Sequence, residues 1–373
     1  MKIVINALSA RLGGGQTYLI NLLSNLPEQV HLDILIFAPA SLSIPVDPRI
    51  RRGTITCATD NPILRTLWEI IVLPRILARE KAHVLFCPGG VITSRVPSGC
   101  KTVTMFRNMI PFDPVSLGRI PLGLQKLRNV ILKQVMLRSM ANADLTIFIS
   151  NHARNIIQAL TRIRNPVTIP HGISDTFRTH SKKMPRPSWL PMCEYLLYVS
   201  RFDVYKHQLE VVKAFSALPS ELSNCYKLLL IGDLNELLVH QVIDLARQKG
   251  LEDQILVVGP IAYADLPAAY HHAKVNLFAS SCENCPNILL EALGAGRPVL
   301  SSDVMPMPEF GANAVGYFSP TDPESICDAL INVLKDKSHS DKLANAAARR
   351  SADFDWLCTS QQTWQQIIGL VNE

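Results

Sequence analysis

Two doubly wound α/β domains in tandem are the architecture this sequence predicts, and three observations predict it. Short β-branched or aliphatic runs alternate with longer amphipathic stretches along the chain, the pattern of βαβ units that close parallel sheets. At 373 residues the chain is long for a single core. A linker-like segment, Ser181–Pro191, carries Pro185, Pro187 and Pro191 beside two lysines near the middle. The expected domains are residues 1–185 and 186–354.

The first domain offers strands at Ile3–Asn6, His31–Phe37, His83–Cys87, Thr102–Met105, Leu145–Ile149 and Val167–Ile169. The second offers Tyr195–Val199, Lys227–Ile231, Ile255–Val258, Val275–Phe278 and Pro298–Leu300, with helices at Gln208–Ala217, Glu236–Lys249, Leu266–His272 and Asn287–Leu293. Continuous apolar runs are what strands buried on both faces need.

Hydrophobic residues make up 48% of the chain and charged residues 18%, which excludes global disorder. No apolar run reaches the ~18 residues of a membrane span; the best, around Leu67–Leu77, is broken by Glu69, Pro74 and Arg75. The start, Met1-Lys2 followed by Ile3-Val4-Ile5, lacks a signal-peptide pattern. Nine scattered cysteines then read as reduced thiols in a cytoplasmic protein. Charge divides unevenly. Residues 1–185 hold 23 Lys and Arg against 9 Asp and Glu, a net +14, and the remainder is −8. The basic half suits an anionic partner such as a phospholipid surface, nucleic acid or a phosphorylated substrate.

Three segments carry candidate chemistry. Gly13-Gly14-Gly15 lies between the first strand and the first helix, where backbone can approach an anion at a helix N-terminus. Tyr18 stands where a dinucleotide fingerprint needs its third glycine, and no Gly-Lys-Ser/Thr follows; a ligand-free tight turn remains an equal reading. Arg201 and Lys206 follow the strand Tyr195–Val199. Cations at the carboxyl end of a parallel strand sit where open α/β sheets bind ligands, and Arg201 can grip phosphate bidentately; the plain alternative is a solvated loop. Glu283 and Glu291, seven residues between them, occupy a polar turn and the helix after it. They are placed to bind sugar hydroxyls, or to serve as a helix-end charge and an exposed helix position. Cys282 and Cys285 form a lone C-x-x-C, with neither a second pair nor finger-spaced histidines to make a zinc site.

In this order the segments resemble the retaining glycosyltransferases of family four, whose GT-B fold sets two Rossmann-like domains facing across a cleft. The resemblance covers nearly the whole chain. It includes the glycine loop Gly13–Gly15, Ala143-Asp144 with the strand to Ile149 and Ser150, Ile169-Pro170-His171-Gly172-Ile173, the Arg-x4-Lys pair, the E-x7-E pair and Phe354-Asp355-Trp356. It implies that Arg201 and Lys206 bind the donor diphosphate, Glu291 the ribose and Glu283 the donor sugar. The backbone of the donor loop Asn284, Cys285, Pro286 and Asn287, at a helix N-terminus, would contribute N–H donors from its non-proline residues. Gly14 and Gly15 would reach the reacting centre from the first domain, and a last helix, about Thr359–Val371 within residues 355–373, would return to that domain. The sequence departs from the family twice. Arg107-Asn108 stands where many members have His-Asp, making these two, with His171, candidates for acceptor or sugar contact. Asn284-Cys285-Pro286 replaces a Gly-aromatic-Gly run.

The implied function is transfer of a sugar, with retention, from a nucleotide-diphosphate sugar such as GDP-mannose or a UDP-sugar. The acceptor would be a cell-envelope polysaccharide, lipopolysaccharide or lipid-linked glycan. No Asp-x-Asp element holds a cation, so no cofactor and no metal are expected, and no nucleic-acid partner. Val115–Met140 holds Arg119, Lys126, Arg128, Lys133 and Arg138 with no acidic residue, and Leu124, Leu127, Ile131 and Val135 at helical spacing. This basic amphipathic stretch predicts peripheral docking on the inner face of the membrane, or else a core-facing helix with a solvated basic side. A sugar-nucleotide epimerase, a nicotinamide dehydrogenase and a non-catalytic nucleotide-sugar scaffold are the competing readings.

Overall fold

The computed structural model describes residues 1–11, 13–55, 61–121, 123–178 and 184–372, except the side chain of Arg119. The chain divides into two compact units, residues 1–171 with 356–373, and residues 172–355.

The first unit runs β1 (Lys2–Asn6), α1 (Gly14–Ser24), β2 (Asp33–Phe37), β3 (Ile50–Arg52), α2 (Pro62–Ile71), α3 (Leu73–Arg79), β4 (Val84–Cys87), β5 (Lys101–Phe106), α4 (Pro114–Arg119), α5 (Leu124–Asn142), β6 (Leu145–Phe148), α6 (Asn151–Leu160) and β7 (Pro166–Thr168). All seven strands are parallel, in the order β3-β2-β1-β4-β5-β6-β7. The order reverses between β1 and β4, a crevice outside their carboxyl ends. Val4, Leu35, Trp68, Leu73, Leu77 and Leu85 pack one side of this sheet. The apolar run near Leu67 is thus two helices with Pro74 in the first turn of the second, and among the described residues no helix is long and apolar enough to cross a membrane.

Asp144 explains the Ala-Asp element locally. Its Oδ2 accepts from the Thr102 amide and hydroxyl, both at 2.8 Å, so it fastens the start of β6 to the start of β5.

The second unit contains β8 (Tyr195–Val199), α7 (Gln208–Ser216), α8 (Ser220–Ser223), β9 (Lys227–Ile231), α9 (Glu236–Gln248), β10 (Ile255–Val258), α10 (Leu266–His272), β11 (Val275–Phe278), α11 (Asn287–Gly294), β12 (Val299–Ser302), α12 (Met307–Gly311), β13 (Gly316–Phe318), α13 (Pro323–Lys335) and α14 (Lys337–Ser351). Its parallel order is β10-β9-β8-β11-β12-β13, with the reversal between β8 and β11. One core spans Leu196, Phe215, Leu229, Phe278, Leu289 and Leu330. Gly232 ends β9 at φ +152, and a Cβ there would lie 2.1 Å from the Ser200 carbonyl oxygen. Only glycine admits the crossing of these two strand ends.

The helix α15 (Trp356–Asn372) belongs to the first unit. Its Trp364 indole donates to the Leu22 carbonyl at 3.0 Å and its Ser360 hydroxyl to that of Asn21 at 3.2 Å, along α1.

The boundary corrects the expectation of 185/186. The Ile173 amide donates to Phe354 O at 3.1 Å, the Arg178 guanidinium donates to the Ser351 and Phe354 carbonyls, and Phe177 is fully buried against Tyr263 and Tyr270. Residues 172–178 are therefore part of the second unit before the proline-rich stretch begins. Of that stretch, residues 181–183 lie outside the described residues. Composition located the prolines but not the packing of the residues before them.

Candidate active site

The reversal between β8 and β11 gathers the second unit's candidates. After β8 the chain makes a short turn at Val204–Lys206 and a left-handed residue, His207, at φ +52. This turn buries Lys206 and delivers its ammonium to Glu283 Oε1, beyond β11. The same oxygen accepts from the Ser280 hydroxyl at 2.7 Å. Lys206 also lies 5.2 Å from the Phe278 ring centre and 5.3 Å from that of Tyr205. His207 Nε2 meets Ser281 Oγ at 2.8 Å, and the Ser281 amide donates to Tyr205 O at 2.8 Å. The two loops are thus stitched together by backbone and side chain.

Arg201 behaves differently. Its side chain is 64% exposed, with Asp203 3.7 Å away, while its carbonyl accepts from Gln208 Nε2 at 2.8 Å. The backbone is held and the guanidinium projects into solvent, the arrangement a phosphate-gripping arginine requires.

Glu291 sits in a separate network. On α11 and 9% exposed, it accepts from Tyr263 Oη at 2.9 Å and Tyr270 Oη at 3.3 Å. Burial lifts its carboxyl to about 7, against the opposing pull of those two hydroxyls. Gly294, one turn on, lets α11 approach the Phe177 carbonyl, which a Cβ would meet at 3.0 Å. Asn284 is buried and Cys285 half-buried in the turn before α11, with Pro286 at the N-cap and Asn287 opening the helix. Among the described residues no three His, Cys, Asp or Glu converge as metal ligands.

In the first unit, α1 begins at Gly14 after Gly13 at φ +63. A Cβ on Gly15 would stand 2.7 Å from Arg107 Nη1, so the glycine loop and the Arg-Asn position after β5 are neighbours. Asn108 Oδ1 caps the Ile110 amide at 3.2 Å. His171 is 2% exposed, stacked on Tyr18 at 5.6 Å and beside Trp356 at 5.3 Å, a packing position shared with α15.

Sequence reasoning did not find Ser280, His207 or the two tyrosines on Glu291. Tyr263 lies 28 residues from its carboxylate, and no local spacing announces such a pairing.

Residues 12–177 match the family model described as Glycosyltransferase Family 4, and residues 183–350 that described as Glycosyl transferases group 1. The serotype-specific mannosyltransferase WbdA of Escherichia coli is 27% identical over 168 residues, 45% of this chain and 21% of that protein. The O-antigen chain mannosyltransferase B of Escherichia coli is 26% identical over 170 residues, 45% of this chain and 44% of the relative. The matches thus span between a fifth and under half of these relatives' length. Among solved structures, a sucrose-phosphate synthase from Thermosynechococcus elongatus superposes with a TM-score of 0.77 at 17% identity, covering 99% of this chain and 98% of that one. WaaG, a glycosyltransferase involved in lipopolysaccharide biosynthesis, gives 0.75 at 14% identity over 97% and 98%. Anabaena HepE in complex with UDP and glucose gives 0.71 at 16% over 99% and 100%. At such identities these likenesses speak for the fold, which is GT-B. Two family matches that together occupy most of the sequence, on two parallel-sheet units, show that the chain belongs to the family-four glycosyltransferases.

Proposed function

We propose that this chain is a retaining hexosyltransferase. It moves a sugar from a nucleotide-diphosphate donor to a lipopolysaccharide, polysaccharide or lipid-linked glycan of the cell envelope, working at the cytoplasmic membrane face. The observation that carries the reading is the Lys206–Glu283 pair joined across the β8/β11 reversal, with Arg201 on the same loop as Lys206. The names of the mannosyltransferase relatives support a mannosyl donor, with GDP-mannose and UDP-sugars as the donors to compare.

In this reading Arg201 and Lys206 hold the diphosphate. The bond between the anomeric carbon and the phosphate oxygen breaks, and the nucleoside diphosphate leaves with that electron pair. The acceptor oxygen bonds to the same face of the carbon and passes its proton to the departing phosphate oxygen. Charge builds on the leaving oxygens as the sugar becomes oxocarbenium-like, and fixed cations stabilise it without reorganising. Glu283 keeps Lys206 aimed and faces the donor sugar. Glu291, once ionised, accepts from the ribose diol, and amides near Asn284 and Asn287 add donors. If Arg201 makes two charge-assisted hydrogen bonds, its loss slows transfer roughly a hundredfold or more.

The test is calorimetric binding of GDP and UDP to the parent, Arg201→Ala and Glu291→Ala, then transfer with nucleotide sugars and an envelope glycolipid, reading product anomer by NMR. Weaker nucleotide binding in both folded variants, a retained anomer and activity in chelator are expected. Unchanged affinity in both variants overturns the site, and an inverted product overturns retention.

A further inference from the structure

The first unit holds a groove of about 810 Å³ walled by α2 and α5. Its floor includes Asn6, Gly89 and Asn108, which follow or end β1, β4 and β5, so it opens at that sheet's own reversal. Two kinds of lining meet there. Ile63, Leu67, Ile131 and Val135 make apolar walls, and the first three are 71%, 47% and 54% exposed. Arg11, Arg65 and Arg128 line the same space.

Among the described residues one carboxylate lines the groove, Glu69. It is buried and already accepts from Asn6 Nδ2 at 3.0 Å and Thr93 Oγ1 at 2.7 Å. Arg65 and Arg128 therefore share the groove with a carboxylate whose oxygens are already engaged. Burial, and then the charges of Arg11 and Arg128, hold Arg65 below the ordinary arginine range against the opposing pull of Glu69, a sign that these cations crowd one another.

We infer that this groove binds a phosphate or diphosphate group attached to a single long hydrocarbon chain, the head on Arg65 and Arg128 and the chain along Ile63, Leu67, Ile131 and Val135. Charge complementarity selects the anionic head, and aliphatic walls select the chain. No aromatic side chain lines the groove among the described residues, so a nucleotide base or bare sugar ring has no ring to stack on. Arg128 is exposed, but Arg65 is half-buried in the concavity, where a single head group can reach it and a flat bilayer surface cannot. The inference rests on the proposed function only in making this lipid phosphate the anchor of the acceptor.

The probe is farnesyl diphosphate, compared by calorimetry with farnesol and inorganic pyrophosphate on the full chain. Binding of farnesyl diphosphate at least tenfold tighter than of either half is expected. Arg65→Ala with Arg128→Ala should weaken it at least tenfold, the two lysine replacements should restore part, and Ile131→Asn should weaken it while sparing pyrophosphate. GDP or UDP affinity should not move in any of these variants. Equal binding of farnesol, or farnesyl diphosphate affinity unchanged in the double variant but lost in Arg201→Ala, overturns the assignment. A parent chain that binds farnesyl diphosphate in this manner but no nucleotide supports the groove and overturns the donor reading instead.

Discussion

Glu291 is a carboxyl whose proton equilibrium falls at neutrality because it is buried. The ordinary value is 4.5, and in the folded chain it is about 7. Between these pH values the folded state keeps a proton that the unfolded state releases. Stability is therefore greatest below 4.5, declines as pH rises towards 7 and is level above it, a change on the order of 3 kcal/mol. Urea unfolding from pH 5 to 8 should show this slope in the parent relative to Glu291→Gln; parallel curves would remove the assignment. Nucleotide affinity should climb over the same range, because the ionised form accepts a diol better. Lys206 and Arg201 make a second contrast. Removing Lys206 leaves Glu283 without its cation, and breaking such a buried pair costs about 3–5 kcal/mol. Arg201, mostly exposed, should cost under about 0.5 kcal/mol. Chemical denaturation of Lys206→Ala and Arg201→Ala checks the difference, and only the latter is a clean probe of diphosphate binding.

At the scale of elements, small contacts decide where strands end. Asp144→Ala strips the Thr102 amide of its acceptor, which should lower stability by about 1–3 kcal/mol, with Asp144→Asn keeping part of it. Gly232→Ala drives a Cβ into the Ser200 carbonyl and should cost at least about 2 kcal/mol. A variant of parental stability in denaturation would show that the strand ends yield. The legibility of the fold follows the same physics. Tyr195–Val199, Lys227–Ile231 and Val275–Phe278 were readable to the residue, because strands covered on both faces are unbroken apolar runs, and the half-buried edge strand Ile255–Val258 was readable as an unbroken aliphatic run. The edge strands Ile50–Arg52 and Gly316–Phe318 were not. Each has three residues, and Ile50–Arg52 owes its place to pairing with β2 and to Arg51 meeting Asp33 at 3.1 Å. Of the site, the residues next to strand ends were legible, whereas the tyrosine clamp on Glu291 exists only once α10 and α11 are packed. Helix α5 was readable as amphipathic, but Leu124, Leu127 and Ile131 are exposed rather than core-facing; only its C-terminal part, Met136 to Met140, is buried.

For the whole molecule, the +14 and −8 charge split sets how it meets charged surfaces. Each cation near an anionic leaflet contributes about 1 kcal/mol, screened within a Debye length. Co-sedimentation with phosphatidylglycerol vesicles should therefore be strong at low salt, weak at 0.5 M salt and absent with neutral lipid. Salt-insensitive partition, or none at all, would favour a freely diffusing acceptor. The helix α15 has a different bearing on the chain as a whole. The backbone leaves the first unit after His171 and re-enters it at Trp356. A ribosome thus completes every residue of the second unit before it makes the helix that covers Tyr18, Leu22 and His171. Domains commonly fold N-terminal first during synthesis, but the earlier-coded unit here cannot close its α1 flank until the later-coded unit has been made.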